Sequence, residues 1–234
     1  MVWVSGADGC RRGWFRASRE TRTGELRFDV HEEASGLLRA APSPRVLGLD
    51  IPIGLPEQGR RACDEAAREV LGPRRSSVFA APIRAALRAA SREDASRITC
   101  ACDGRRVSTQ AWGIYPKIRS VDALLTVSPE ARARIREVHP EVCFWAWNAG
   151  QPMPASKKTR AGSQRRRALV EGWLGAGVVA TARRLYSRRD VADDDILDAL
   201  AALWTATRIV AGQARTLPPV PPVDTTGLRM EIVY

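Results

Sequence analysis

Five carboxylates stand out by position: Asp8, Asp50, Glu141, Asp195 and Asp198. Asp8 follows the short apolar run 2–7, and Asp50 ends the apolar run 45–49. Glu141 comes just after the strand-like segment 135–139. Asp195 and Asp198 are three residues apart, so a helix would carry both on one face. Asp198 lies inside Ile196-Leu197-Asp198-Ala199-Leu200-Ala201-Ala202-Leu203-Trp204, a stretch apolar nearly all round. A carboxylate carried into such surroundings needs a partner or a metal ion. Carboxylates crowded together repel one another unless a cation sits between them. Hard oxygen ligands of this kind suit magnesium or manganese. A pair of such ions can hold both the attacking and the leaving oxygens in phosphoryl chemistry. Asp8, Asp50, Asp195 and Asp198 are therefore the candidate metal ligands, and with Glu141 the candidate catalytic acids. Plainer roles remain open for each. Asp8 and Asp50 are also good turn residues, Asp193 fits a helix N-cap and Asp194 complements a helix dipole.

The elements that must position these groups read as a mixed α/β sheet. Three strands are expected over 2–7, 14–18 and 25–30, joined by connections short enough for antiparallel hairpins. A helix over 33–40 and a strand over 45–49 then form a crossover that makes the new strand parallel. Strands carrying Asp8 and Asp50 side by side would deliver both carboxylates to the carboxyl edge of the sheet, where sites of open α/β sheets gather. Residues from about 60 to 130 read as a helical insertion, with helices at 60–71, 83–90, 108–115 and 117–125. A strand follows at 135–139. The segment 150–162 is polar and without periodicity, hence a mobile loop. Helices resume at 164–173, 178–186 and 194–210, and a last strand is expected at 228–233. No linker divides the chain, so residues 1–234 read as one domain.

Composition narrows the class further. The formal net charge is +11, and only three of the 37 basic residues are lysine: Lys117, Lys157 and Lys158. The other 34 are arginine, the residue a GC-rich genome favours. Such a surface concentrates polyanions, as expected of a nucleic-acid binder or of a merely cationic surface. Lys157 and Lys158 escape the arginine bias, which marks them as candidate phosphate contacts or charge stabilisers. Lys117, and Arg75 just before Ser76-Ser77, are further candidate phosphate contacts, while Arg165-Arg166-Arg167 reads as a solvated face. His139 fits a local hydrogen bond better than a catalytic base, and Trp112 is the aromatic most open to base stacking. Five scattered cysteines and no export signal argue against a disulfide framework. No apolar run reaches the length of a membrane span, and a cytoplasmic protein is expected.

Several segments in the same order resemble one family. GADGCRRGW, GLDIPIGLP, the Arg75-Ser76-Ser77-Val78-Phe79 segment with Ala81-Pro82, residues 110–118, EVHPEVCFW, SKKTRAG and DDDILDAL are similar to domain-of-unknown-function family 429. That family is regarded as a group of nucleases with a ribonuclease H-like fold. The resemblance implies that Asp8 is the first-strand aspartate and Asp50 the fourth-strand acid. It sets Asp195 and Asp198 where Holliday-junction resolvases keep a late helical Asp-x-x-Asp, and Glu141 within a His-Pro-Glu motif of the family itself. The chain departs in carrying Arg11-Arg12-Gly13 directly after the first aspartate motif.

Three functional classes follow. The first is a divalent-metal-dependent nuclease acting on DNA or RNA. The second is a non-catalytic nucleic-acid binder on the same scaffold, which leaves the persistent acidic positions unexplained. The third is an actin-like-fold phosphotransferase. It needs glycine- and hydroxyl-rich phosphate loops, and DGCRRGW supplies arginines instead; no GxxxxGK[ST] is present either.

Overall fold

A computed structural model describes all residues 1–234. Three strands open the chain: β1 (Trp3–Cys10), β2 (Gly13–Glu20) and β3 (Leu26–His31). A short helix α1 (Gly36–Arg39) leads to β4 (Val46–Leu49). Five helices then intervene: α2 (Ala62–Leu71), α3 (Arg84–Leu87), α4 (Arg92–Asp103), α5 (Thr109–Val127) and α6 (Pro129–Arg134). Strand β5 (Ile135–Glu137) and helices α7 (Pro140–Trp147), α8 (Arg160–Leu174), α9 (Val178–Leu185) and α10 (Asp193–Val210) complete the main body. Two short strands, β6 (Thr216–Leu217) and β7 (Ile232–Val233), pair with each other near the C-terminus.

The five-stranded sheet has the order β3-β2-β1-β4-β5. β1, β2 and β3 are antiparallel, while β4 joins β1 in parallel and β5 joins β4 in parallel. This is the α/β arrangement expected from the short hairpin connections and the strand–helix–strand crossover, consistent with a ribonuclease H-like topology, with the helical segment inserted between β4 and β5.

Both faces of the sheet are covered, which gives two apolar layers. On one side Val4, Phe15 and Ala17 pack with Ala199, Leu200 and Leu203 of α10. On the other, Ala7, Leu47 and Leu49 pack with Ile118, Val121 and Leu125 of α5. Two glycines set how closely α10 approaches. Gly6 of β1 and Gly48 of β4 are register partners. A Cβ on Gly6 would stand 2.0 Å from Leu203 N, and one on Gly48 would stand 2.7 Å from Ala202 O. The helix backbone thus lies directly on the sheet, where any side chain at either position would hold it off.

Several elements differ from expectation. The interruption expected at Pro116 is absent, and α5 runs unbroken through it. Tyr115, Ile118, Val121 and Leu125 anchor both halves, and Pro116 itself is exposed, so the carbonyl it leaves unpaired can face water. Helix α4 was not expected, because only Ala95 and Thr99 of its residues are buried and no apolar stripe marks it. The last strand is confined to Ile232–Val233, and β6 pairs with it instead of a longer neighbour. The N-cap of α10 is Ala192 and not Asp193, which pairs with Arg183 and Arg188. No helix is long and apolar enough to cross a membrane.

Candidate metal centre at the carboxyl edge of the sheet

Asp8 lies near the end of β1 and Asp50 immediately after β4. The parallel register pairs Gly6 with Gly48 and Ala7 with Leu49, and the Asp50 N–H donates to Ala7 O at 3.0 Å. Continuing that register sets Asp8 beside Asp50. Helix α10, seated on the two glycines, brings Asp198 from below. One oxygen from each of Asp8, Asp50 and Asp198 lies within 4.8 Å of the others. Asp198 is buried, while Asp8 and Asp50 are partly open to the cleft above.

These three carboxylates are poorly compensated. Burial first, then Asp50 and Asp198, push the Asp8 carboxyl well above the usual range. Burial and Asp198 raise Asp50 to about 8. Asp8 accepts a hydrogen bond from Gly9 N–H at 2.6 Å, and Asp50 receives no hydrogen bond at its carboxylate. One cation answers the cluster: Lys157 Nζ, paired with Asp198. Burial pulls the Lys157 ammonium down, but Asp198, with Asp50 and Asp8 beyond it, holds it above its ordinary value. Asp198 is itself raised by burial, against the opposing effect of Lys157. Lys157 reaches this position because the polar segment is folded tightly against α8. A Cβ on Gly162 would meet Ser156 O at 2.0 Å.

That segment is anchored, contrary to the mobile loop expected there. Arg166, expected on a solvated face, is fully buried. It donates to Ala155 O at 3.0 Å and Gly162 O at 2.9 Å. Its remaining donors embrace Glu141, from Nε at 2.9 Å and from Nη2 at 2.6 and 2.8 Å. Glu141 borders the cleft, as expected of a site residue, but both its oxygens serve this pair. Its place in the structure is a strut, because Arg166 satisfies its charge without help from any substrate.

Asp195 also departs from the metal-ligand expectation. Its Oδ2 accepts the Ala192 N–H at 2.8 Å, closing the first turn of α10, and it is not one of the three converging acids. Its charge still acts on Asp8. The other expected phosphate contacts divide. Lys117 lines the cleft, with its side chain lying against Gly9, its Nζ donating to Cys10 O at 3.2 Å and standing 5.7 Å from the centre of the Trp14 ring. Lys158 also lines it and pairs with Asp194 at 2.8 Å. Arg75 is exposed and does not line the cleft; its neighbour Arg74 does. Gly72–Ser77 is a 3-10 helix, with three residues per turn, so the neighbours Arg74 and Arg75 face different ways.

The cleft over the acids has a volume of about 460 Å³. Its far wall holds groups that sequence reading missed: Arg61, Asp64 and Glu137. Arg61 donates to both oxygens of Glu137 at 2.7 Å each and to Asp64 at 2.5 and 3.1 Å. Burial raises Glu137 to about 7 against the opposing pull of Arg61. His139 stands beside them. Its Nε2 must donate to Ser77 O, 3.3 Å away, since a carbonyl can only accept. Burial lowers its pKa to about 4, so the ring is neutral with Nδ1 as a free acceptor.

The fold and site together define an α/β protein with a mixed five-stranded sheet and, at its carboxyl edge, a buried acidic triad able to hold a metal ion. The chain belongs to the family described as protein of unknown function (DUF429), whose model matches residues 6–223. Neither the curated proteins nor the solved structures contain a match to it.

Proposed function

We propose that this protein is a divalent-metal-dependent nuclease that hydrolyses phosphodiester bonds of DNA or RNA. The observation that carries the reading is the convergence of Asp8, Asp50 and Asp198 within 4.8 Å, Asp8 and Asp50 lining a cleft and Asp198 buried beside them, with too few donors to satisfy them. All three offer carboxylate oxygens, hard donors that favour magnesium and manganese over softer metals. Asp8, Asp50 and Asp198 would hold the ion. Bound there, a divalent ion supplies a water of lowered pKa and a counter-charge to the phosphate.

The chain's own groups account for the rest. Lys157 and Lys117 flank the acids and would hold the non-bridging oxygens of a phosphate brought to the cleft. Phe79, half exposed on the rim, offers an aromatic face to a base. The net charge of +11 draws the polyanion to the surface, while the local acidity repels a phosphate in the cleft until a cation is bound. The test is incubation with labelled single strands, duplexes, junctions and RNA in magnesium, manganese or chelator. Cleavage of at least one substrate, present with metal and absent in chelator, is the expected result. Binding without cleavage across the whole panel would replace this reading with that of a passive binder.

A further inference from the structure

Five cations line the cleft: Arg61, Arg74, Lys117, Lys157 and Lys158. Three of them face carboxylates, Arg61 at Glu137 and Asp64, Lys157 at Asp198 and Lys158 at Asp194. Lys117 lies against Gly9, held by Cys10 O and the Trp14 ring. Arg74 has neither kind of partner. No carboxylate stands within ion-pair distance of it, and its Nε is shut off from solvent without an acceptor. A cation partly withdrawn from water in this way is costly, and an anion brought to the cleft supplies the missing counter-charge.

The sheet order fixes where Arg74 lies relative to the acids. Asp8 lies near the end of β1 and Asp50 follows β4, while His139 follows β5, the next strand along. The His139 Nε2–H donates to Ser77 O at 3.3 Å, which ties the turn Gly72–Ser77 to that end of the cleft. Neighbouring strands stand about 4.8 Å apart, so the turn begins about one strand spacing beyond Asp50. Phe79, two residues after the turn, is the one aromatic among the exposed large apolar side chains, and it lines the same cleft. An open aromatic face and an unpaired arginine are the two groups that hold a base and its phosphate. A base offers its face only when it is out of the duplex stack. The cleft volume of about 460 Å³ is that of a small-ligand pocket, which admits one strand more readily than two paired ones.

Resting on the nuclease reading above, we infer that Arg74 and Phe79 form a subsite for one unpaired nucleotide beside the acids, so that the substrate is a single strand. Arg74 takes the phosphate that flanks the scissile one, and Phe79 takes the base. The scissile phosphate lies over Asp8 and Asp50, beside Lys117 and Lys157, and the strand runs from there past the end of β5. Arg75, one residue on, carries the same charge but is exposed outside the cleft and takes no part. The subsite is indifferent to base identity, because every base has a face to stack. It accepts DNA and RNA alike, since neither group reads the sugar.

The experiment measures binding of labelled single-stranded DNA and RNA, and of the same strands annealed to their complements, by the full-length protein. Binding is followed by fluorescence anisotropy in calcium, a hard cation that takes the same oxygen ligands, and cutting is followed separately in manganese. The unmodified protein is expected to bind the unpaired strands at least about tenfold tighter than the duplexes. Arg74→Met and Phe79→Leu should each weaken single-strand binding about fivefold or more and leave duplex binding nearly unchanged. Arg75→Met removes the same charge from the same turn and should leave the preference intact. Circular dichroism and melting curves establish that each variant is folded. Unpaired strands bound no tighter than duplexes, or a folded Arg74→Met or Phe79→Leu that behaves like Arg75→Met, would overturn the inference, and cutting in manganese would then leave the nuclease reading standing. The expected preference without any cutting would overturn the nuclease reading and keep the single-strand subsite. Absence of both would overturn both.

Discussion

Two buried acidic clusters share one cleft, and they are built on opposite terms. Around Arg61 a single guanidinium serves two carboxylates and two backbone carbonyls, at Ile53 O and Gly54 O, and Glu137 also accepts the Ile53 N–H at 2.6 Å. Around Asp8 three carboxylates converge with one lysine between them, and Asp50 receives no hydrogen bond. The first cluster is complete as the chain folds. The second lacks a matching counter-charge, so it either keeps protons or takes up a further cation. A folded chain retains such a deficit at the expense of stability, and function is the usual reason for retaining it. The contrast also separates residues of the same type: Glu141 and Glu137 belong with the satisfied group, Asp8 and Asp50 with the unsatisfied one.

The largest effect expected from breaking this contrast is at Arg61. Arg61→Met leaves Glu137 and Asp64 buried without their partner, and the cost of orphaning a buried pair is about 3–5 kcal/mol. Urea melts should show that loss. An unchanged midpoint would mean that the cluster is not structural. Gly6→Ala comes next. Its Cβ would meet the α10 backbone at 2.0 Å, so the helix must lift, at about 1–3 kcal/mol for overpacking. Because the same helix carries Asp198, manganese affinity should fall with stability. A variant that melts early yet binds manganese normally would show that α10 does not position the acid.

A third expectation concerns pH, and its direction is opposite to that of an ordinary ion pair. A carboxyl raised from 3.8 to about 8 keeps its proton in the folded state after the unfolded chain has lost its own. The contribution of this group is therefore greatest below pH 3.8 and is lost as pH rises from 3.8 to about 8. His139, lowered from 6.5 to about 4, costs stability as pH falls between those values, so the window free of it lies above pH 6.5, where Glu137, raised to about 7, adds a decline common to the unmodified protein and an Asp50 variant. In chelator, melting temperature should drop between pH 6.5 and 8, and Asp50→Asn should reduce that drop by a few degrees. Manganese should raise the melting temperature of the unmodified protein most at pH 8. Equal pH slopes for the two proteins would remove Asp50 from the account.

The smallest effect is at the rim. Lys158 is three-quarters exposed at its side chain and paired with Asp194, so it contributes at most one phosphate contact. Lys158→Ala should reduce the salt dependence of nucleic-acid binding by about one unit in the log–log slope. A slope that does not change places the backbone elsewhere on the surface.

Much of the sheet was legible in the sequence, because β1 and β4 carry short apolar runs, β3 alternates apolar and polar residues, and turn residues such as Gly13 and Gly24 set off β2 and β3. The two aspartates at the strand ends followed from that, and Asp198 followed from its apolar neighbourhood. What escaped depended on contacts between distant segments. Arg166 sits in a run of three arginines, and nothing local says that it alone turns inward to meet Glu141, 25 residues away. Asp195 and Asp198 are indistinguishable by spacing, and the local cap at Ala192 decides between them. The roles of Gly6 and Gly48 required knowing that α10 crosses both strands. Helix α4 did carry signals, the Ser91 cap on Asp94 N–H at 3.1 Å and Gly104 at φ 68°, but its mostly solvated surface concealed the period.

The central claim is that the unsatisfied acids hold a cation for phosphodiester cleavage. Its most direct measurement compares the unmodified protein with Asp8→Asn and Asp50→Asn, each purified identically and assayed in manganese for cutting and, in chelator, for binding. Each substitution keeps the size of the side chain and removes one negative ligand, which also removes a source of phosphate repulsion. Cutting by the unmodified protein alone, with equal or tighter binding by both variants, is the predicted result. Cutting that survives both substitutions would contradict it.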